Sequence, residues 1–325
     1  MANPSYAYAV GSVRARENAL LTRADVEQLL GEKTLGQLLE ALQSKGVGNG
    51  DTTDIEELLR QETAATWQYL REITPDFSLY NVFIYRNDYH NLKVTLKGVL
   101  SGRAFKHLLL DPVTVAPSVL EEAVGARRFD ALPAHMRDAA QKAYDLLAHT
   151  VDVPLCDAIL DRAAMHAMQT AAREANIPLL NSWCDTFVFY SNVKIALRAA
   201  KAHKPPAYLD AALCAELPMP VQDLKEAALN GEEAVLELLE QRNILDSRTA
   251  AEQYHLSPSA FERFADDRLM RVARIGRTTT LGAEPLIGYL LAKEAQHKAI
   301  HILASGLRAG QAESTIRERL REMYG

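Results

Sequence analysis

The apolar positions of this chain follow the period of an α-helix. In one stretch the apolar side chains are spaced three, four and three residues apart, which puts them on one face of a helix. These residues are Tyr89, Leu92, Leu96 and Val99. β-branched residues do not cluster along the sequence as they do in strands. The pattern therefore predicts an all-α protein.

Capping residues predict where several helices begin. Thr22 with Asp25 has the spacing of a capping box, in which each side chain bonds the backbone N–H of the other residue. Thr53 with Glu56 repeats this spacing and predicts a second box. Ser257–Pro258 pairs a capping residue with proline, which is favoured at the first helical position.

Prolines and glycines predict further helix bounds. Gly46 should end one helix, because glycine readily takes the left-handed conformation found after a last turn. Asp152 should cap another helix that has Pro154 in its first turn. The predicted spans include 6–21, 35–45, 53–73, 133–149 and 312–323.

A motif in the first third of the chain recurs 101 residues later. Asp88–Lys97 and Tyr190–Arg198 share the order Tyr-x-Asn-aliphatic-Lys-x-x-Leu-basic. A weaker third copy, offset by 208 residues, places Ile300, Ala304 and Leu307 on the apolar face. Repeats of about 100 residues predict three similar helical subdomains. Their approximate bounds are 1–104, 105–206 and 207–325.

The two clear copies carry a matched asparagine and lysine away from the apolar face. These are Asn91 with Lys93 and Asn192 with Lys194. Polar residues at such positions more often lie on a polar face or hydrogen-bond between helices than bind a ligand. We therefore interpret all four as structural.

Charge and cysteine content narrow the class of protein. The chain has 36 Lys and Arg against 42 Asp and Glu, a net charge of −6, which does not favour nucleic acid as the partner. Cys156, Cys184 and Cys214 lack metal-ligand spacing and are interpreted as buried thiols in a reducing compartment. The most apolar run, Leu281–Ala292, is too short to span a bilayer. Since the N-terminus also lacks the pattern of a secretory signal, the sequence predicts a cytoplasmic protein.

The sequence carries no recognisable catalytic motif. The glycines of Gly46-x-Gly48-x-Gly50 follow a predicted helix and not a strand, so they indicate a turn instead of a phosphate-binding loop. Glu252–His255 and Glu294–His297 have the Glu-x-x-His spacing of di-iron helical bundles. The first lies at a helix boundary, and we interpret both as solvated or capping residues. We predict no catalytic residue, no metal and no cofactor.

Four arginines recur at every third position in one predicted helix. At about 100° per residue they drift around the helix and form a ribbon instead of one face. A solvated surface is one interpretation. The other is a basic patch that docks an acidic partner, for which the multidonor guanidinium is well suited. The predicted partner-binding residues are Arg268, Arg271, Arg274 and Arg277.

Several segments together resemble the C subunit of the bacterial and archaeal V/A-type ATPases, the counterpart of the eukaryotic V-ATPase d subunit. The N-terminal segments Tyr6–Val10 and Arg14–Glu17 resemble the opening of that family. Asp88–Lys93 resembles its D-x-H-N-L-K segment, and Gly282–Glu294 followed by Ile316–Arg321 is the most specific match. The resemblance covers essentially the whole chain in the same order.

This resemblance implies an all-α, funnel-shaped fold of three similar domains in pseudo-threefold arrangement. It implies a non-catalytic socket that couples the D and F subunits of the central stalk, the shaft, to the c-ring of proteolipid subunits, for ATP-linked proton or sodium transport. The chain would be peripheral, on the cytoplasmic face, and would meet the membrane only through the c-ring. One departure is that Ala299 and His301 stand where the family usually has asparagine and a basic residue. An α-solenoid scaffold for another protein and a helical-bundle metalloenzyme are the alternatives.

Overall fold

The computed structural model describes residues 5–48, 50, 52–150, 152–215 and 218–325. Asn49, inside the predicted glycine turn, lies outside them. The described residues form seventeen α-helices and four short 3-10 helices, without a β-strand, so the predicted all-α class is confirmed. The α-helices are α1 Tyr6–Glu17, α2 Arg23–Leu29, α3 Leu35–Ser44, α4 Ile55–Ile73, α5 Asn81–Ser101, α6 Pro117–Ala126, α7 Ala134–Thr150, α8 Val153–Ala175, α9 Pro178–Lys201, α10 Pro206–Ala212, α11 Val221–Asn230, α12 Glu232–Arg242, α13 Ser247–Leu256, α14 Pro258–Ala273, α15 Ile275–Thr278, α16 Glu284–Arg308 and α17 Glu313–Arg319. The 3-10 helices are Phe77–Tyr80, Lys106–Leu108, Phe129–Ala131 and Ile244–Asp246.

Local capping signals mostly give the helix starts that the sequence predicts. The capping box of Thr22 and Asp25 is present, with the Thr22 amide 2.9 Å from the Asp25 carboxylate. Asp152 and Ser257 also cap their helices as predicted. The predicted box at Thr53 is wrong, because Asp54 is the N-cap and accepts a hydrogen bond from the Glu57 amide at 3.1 Å. A carboxylate one residue closer to the helix replaces the threonine hydroxyl.

Two predicted helices end about four residues early, and distant groups explain both cases. Helix α1 stops at Glu17, and the Leu21 amide donates instead to the Gln296 side chain at 3.0 Å. Helix α17 stops at Arg319, and the Glu322 amide donates to the Asp267 carboxylate at 2.7 Å. In both segments an acceptor elsewhere in the fold takes the place of a helical carbonyl.

The described residues divide into two compact units. The terminal unit comprises those of Met1–Phe77 and Glu252–Gly325, and the middle unit those of Ser78–Ala251. This division does not test the three predicted repeats, because a repeat is defined by equivalent helices and not by compactness. The repeats therefore stay a prediction.

The middle unit is built around α5, α8 and α9. Helix α5 packs against α6 and α8, and α8 packs in turn against α7, α9 and α10. The four residues of the predicted apolar face all lie on α5, where Tyr89, Leu92 and Leu96 are buried in the core. Val99 is 37% exposed, because it lies near the end of the helix, beyond that core. On α9 the equivalent positions are all buried, namely Tyr190, Val193, Leu197 and Ala200.

The terminal unit has α16 as its central helix. This helix packs against α1, α3, α4, α14, α15 and α17. Ile300 and Ala304 lie in the core with leucines from α2, α3 and α4, while Leu307 is partly buried beside it. Helix α16 begins at Glu284, inside the most apolar run of the chain. Within the ranges that the structure describes, no helix is long and apolar enough to cross a membrane.

Candidate functional site

The repeated asparagines make the same structural bond in both copies of the motif. Asn91 donates from its amide nitrogen to the Leu110 carbonyl at 2.9 Å and accepts from the Leu110 amide at 2.8 Å. Asn192 makes the same pair with Cys214, at 2.8 Å and 3.0 Å. Both asparagine side chains are fully buried. Leu110 and Cys214 both lie outside the helices, so the asparagines are neither on a polar face nor hydrogen-bonded between helices, and each instead ties its helix to loop backbone.

The tyrosines of the motif are matched as well. The Tyr89 hydroxyl donates to the His135 carbonyl at 2.6 Å, and the Tyr190 hydroxyl donates to the Leu245 carbonyl at 2.5 Å. Each copy thus ties a central helix to backbone far along the chain at two points. A buried donor or acceptor without its partner would cost about 1–3 kcal/mol, so these bonds hold the following segments in place.

The sequence analysis missed a related residue in the third copy. Gln296 is 1% exposed and accepts a hydrogen bond from the Leu21 amide at 3.0 Å. With the 208-residue offset, it corresponds to Asp88 of the first copy. Asp88 accepts from the backbone amides of Thr114 and Val115, at 2.9 Å and 3.2 Å. Burial raises the pKa of Asp88, against the lowering effect of these bonds. The signal in the sequence is the position of Gln296, a polar residue that lies 208 positions after Asp88.

Helix α5 also anchors the segment that follows it. Asn87 donates to the Pro112 carbonyl at 3.0 Å, and the His90 ring donates to the Leu108 carbonyl at 3.0 Å. Both bonds are made to backbone carbonyls, so the apolar side chains of the segment remain exposed to solvent. Leu108 is 50% exposed and Leu110 is 43% exposed. A rigidly held loop therefore presents two leucines at the surface of the middle unit.

A cavity of about 390 Å³ lies beside this loop, lined by α5, α8 and α9. Its described lining includes four lysine or arginine side chains and one aspartate. The cations are Arg86, Lys93, Lys194 and Arg198, and the carboxylate is Asp161. The lysines of both repeated motifs thus meet at one site.

Charged and apolar side chains both line this cavity, which we call the basic cavity. Lys93 donates to Asp161 at 2.6 Å across α5 and α8. Met165 and Met168 are buried in its wall. The Phe187 ring stacks on Trp183 with centroids 5.4 Å apart, and the Arg86 guanidinium lies 5.4 Å from the Phe187 centroid.

The arginine ribbon lies in the terminal unit, where its members contact the C-terminal segment. Arg274 donates to the Glu322 carboxylate at 2.6 Å and also to the Met323 carbonyl. Arg277 donates to the Tyr324 carbonyl at 3.0 Å. Arg271 lies 3.6 Å from Glu322, a weaker contact of an exposed side chain. These contacts are a role that the sequence analysis did not foresee, since it considered only solvent and partner proteins.

The fourth arginine of the ribbon, Arg268, is half-buried on α14. Docking of a partner by Arg268, Arg271, Arg274 and Arg277 stays a prediction. The side chain of Arg271 is 46% exposed, which makes it the most accessible of the ion-paired members.

The C-terminal tyrosine explains why two glycines stand near the ribbon. Tyr324 is 3% exposed, and its hydroxyl would clash with a Cβ at Gly288. It would lie 3.0 Å from a Cβ at Gly276, where the Glu284 carbonyl is closer still, at 2.6 Å. Arg14 of α1 secures the same region by donating to the carbonyls of Gly276 and Thr279, at 2.6 Å and 2.8 Å. The N-terminal helix and the C-terminus therefore both brace the α15 turn.

The Glu-x-x-His pattern of α16 is half-buried among polar and charged side chains. Burial, with the nearby Lys293 charge, lowers the pKa of His297 to about 4. Its Nδ1 atom lies 3.2 Å from the Thr63 hydroxyl, and Lys293 pairs with Glu62 at 2.5 Å. Over the residues described, no group of three or more His, Cys, Asp or Glu is arranged to hold a metal ion.

The three cysteines are buried free thiols, as predicted. Burial raises the pKa of Cys156 to about 11 and that of Cys184 to about 12. At neutral pH both are therefore protonated and unreactive, and they serve as small packing residues.

Comparison with known proteins gives a consistent result over nearly the whole chain. Residues 9–319 match the family model described as "ATP synthase (C/AC39) subunit". The C subunit of the V-type sodium ATPase of Enterococcus hirae is 24% identical over 320 residues, covering 96% of this chain and 97% of the relative. The C subunit of the A-type ATP synthase of Haloquadratum walsbyi is 26% identical over 350 aligned positions, covering 97% of each chain. The C subunit of the V-type ATP synthase of Thermus thermophilus is 25% identical over 206 residues, covering 59% of this chain and 62% of the relative.

Proposed function

The chain belongs to the ATP synthase (C/AC39) subunit family, and from that premise we propose that it joins the rotating shaft of a rotary ATPase to its membrane ring. Its partners would be the D and F subunits of the shaft on one side and the c-ring on the other. It would lie on the cytoplasmic face as a peripheral component, meet the membrane only through the ring, and catalyse no reaction itself.

The observation that carries this proposal is the length of the match. The family model spans residues 9–319, and two relatives named as the C subunit align over nearly their full lengths. A local motif shared with an unrelated protein would not extend across the chain in this way.

The internal bonding supports a role in transmitting torque. A coupling piece must pass on a twist without letting its helices slide. The buried bonds of Asn91, Asn192 and Gln296 each tie a long helix to distant backbone. Such fully satisfied buried polar contacts favour one rigid arrangement.

The test is reconstitution of the ATPase with and without this chain. Without it, the soluble part should hydrolyse ATP but not drive ion transport into vesicles. Adding the purified chain should restore transport in proportion to the amount bound. Complexes that lack the chain yet pump ions at the full rate would refute the proposed coupling role.

The arginine ribbon allows a more specific test of this proposal. Arg271→Glu removes an exposed cation whose internal contact is long, so it should affect docking more than folding. If the ribbon binds a partner, this variant should weaken assembly most at low salt, where the lost attraction and the added repulsion are least screened. Normal assembly at all salt concentrations would limit the ribbon to holding the C-terminal segment.

A further inference from the structure

We propose that residues 21–42 form a clasp, a segment that closes the terminal unit by packing on α16 and is the first part of that unit to open. The clasp lies between α1 and α4 and contains α2 and most of α3. Its counterpart in the middle unit is the segment 115–136 on α5, which is held more firmly. The inference goes beyond the proposed function and does not depend on it.

The apolar positions of the two segments match at one constant offset of 94 residues. Seven core positions of the segment on α5 each have an apolar counterpart in the clasp. The pairs are Val115 with Leu21, Leu120 with Val26, Ala123 with Leu29, Val124 with Leu30, Phe129 with Leu35, Leu132 with Leu38 and Met136 with Leu42. Six of these clasp residues are buried in the core around α16, and Leu35 is partly buried against it. A single register shared by seven positions indicates that both segments pack on their central helix in the same way.

A hydrogen bond confirms this register from the side of the central helices. The motif on α5 and its weaker copy on α16 are 208 residues apart, so Gln296 corresponds to Asp88. Gln296 accepts from the Leu21 amide at 3.0 Å, and Asp88 accepts from the Val115 amide at 3.2 Å. Leu21 and Val115 are themselves a pair at the offset of 94. Two offsets taken from separate parts of the chain thus place the same bond at the same position.

The buried polar bonds to the clasp are weaker than those to its counterpart. Asp88 also accepts from the Thr114 amide at 2.9 Å and from the Thr114 hydroxyl at 2.5 Å. Asn91 adds its pair of bonds with Leu110. On α16 the counterpart of Asn91 is Ala299, whose side chain has no polar group. Since each buried bond adds to the free energy of local opening, the clasp should open more readily than the segment on α5.

The flanks of the clasp are held independently, so the clasp can open while the rest of the unit stays in place. Before it, Arg14 of α1 donates to two carbonyls of the α15 turn, at 2.6 Å and 2.8 Å. After it, Glu62 of α4 pairs with Lys293 of α16 at 2.5 Å. Opening would then expose the apolar face of α16 without detaching either neighbouring helix.

Surface ion pairs join the clasp to α17. Glu27 lies 3.1 Å from Arg317, and Lys33 lies 3.7 Å from Glu313. All four side chains are exposed, and exposed pairs contribute little to stability and are screened by salt. These pairs should therefore change the opening only slightly, and measurement at raised salt removes most of their effect.

Hydrogen exchange of the whole chain tests the clasp, with α6 as an internal standard for α2. At the offset of 94, α2 corresponds to the first seven residues of α6. In the wild type the amides of α2 should exchange about tenfold faster than those of α6. Gln296→Met removes the acceptor but keeps an unbranched side chain, and it should speed exchange in α2 by about a further tenfold while α6 is unchanged.

Two further variants serve as controls. Asp88→Leu should have the converse effect, with faster exchange in α6 and none in α2. Ser305→Ala is the matched control on α16, since the Ser305 hydroxyl donates within its own helix, to the Ile302 carbonyl at 3.1 Å. It should leave the exchange of both helices as in the wild type.

Several results would overturn the clasp. One is protection of α2 equal to or greater than that of α6 in the wild type, and another is unchanged exchange of α2 in Gln296→Met. An equal rise in α2 and α14 would show that the terminal unit opens as a whole. If Gln296→Met does not fold, Val26→Ala weakens the same contact from the clasp side, and unchanged exchange of α2 in that variant would be equally decisive. None of these measurements involves the ATPase, so failure of the clasp leaves the proposed function standing.

Discussion

Replacing the two repeated asparagines by alanine should destabilise the middle unit by unequal amounts. Asn192→Ala leaves the amide and carbonyl of Cys214 without their partner, and Cys214 is only 2% exposed. Each unpaired buried group costs about 1–3 kcal/mol, and partial relaxation brings the expected total to about 3 kcal/mol. Asn91→Ala exposes the same groups of Leu110, but that residue is 43% exposed and water can replace the bonds. We expect a loss of about 1 kcal/mol there.

The two tryptophans of the chain allow the middle unit to be followed separately. Trp67 lies in the terminal unit, and Trp183 is buried in the middle unit between Phe83 and Phe187. In a Trp67→Phe background, fluorescence during denaturant unfolding reports on the surroundings of Trp183. The midpoint should fall for both asparagine variants, and clearly further for Asn192→Ala.

The outcome that would refute this reasoning is equal loss in the two variants, or a loss below about 0.5 kcal/mol for Asn192→Ala. Either would mean that solvent or local rearrangement satisfies the Cys214 backbone. Ser182→Ala is the matched control, since Ser182 is exposed on α9 and its replacement removes a polar side chain from the same helix. It should leave the midpoint nearly unchanged.

Three further predictions concern the terminal unit. Tyr324→Ala should lower its free energy of unfolding by about 3 kcal/mol, as for other large buried aromatic residues, measured by denaturant unfolding. Arg274→Glu should cost about 1–2 kcal/mol, since it breaks the contact with Glu322 and adds repulsion, whereas Arg271→Glu should cost little in the same assay. Between pH 6.5 and about 4 the unfolded chain binds a proton at His297 that the folded chain does not, so this residue makes the fold less stable as pH falls. The fall in melting temperature from pH 7 to pH 5 should therefore be smaller in His297→Gln.

Each of these has a result that contradicts it. A Tyr324→Ala variant as stable as the wild type would mean that the C-terminal segment is not part of the terminal core. Equal losses in the two arginine variants would show that the 2.6 Å and 3.6 Å contacts with Glu322 are equivalent in solution. An unchanged pH dependence in His297→Gln would mean that other groups cause the acid sensitivity. Glu62 is one such group, because burial raises its pKa but the hydrogen bond and charge of Lys293 lower it further.

The sequence by itself determined the features that depend on neighbours within about one helical turn. The capping box of Thr22 and Asp25 joins residues three apart, and Asp152 caps its helix through the amide of Leu155. The apolar faces of α5 and α9 likewise follow from helical spacing alone. These interactions form wherever the chain runs, because helical geometry places residues three and four apart together.

Only the tertiary structure decided which distant groups meet. Leu21 and Gln296 are 275 positions apart, and Arg274 lies 48 positions from its Glu322 partner. The basic cavity likewise requires α5, α8 and α9 to come together. No local spacing encodes these pairs, because the same arginine or glutamine could meet solvent, a partner or its own chain. Which of these it meets depends on the packing of whole helices, and that packing also ended α1 and α17 earlier than their own residues predict.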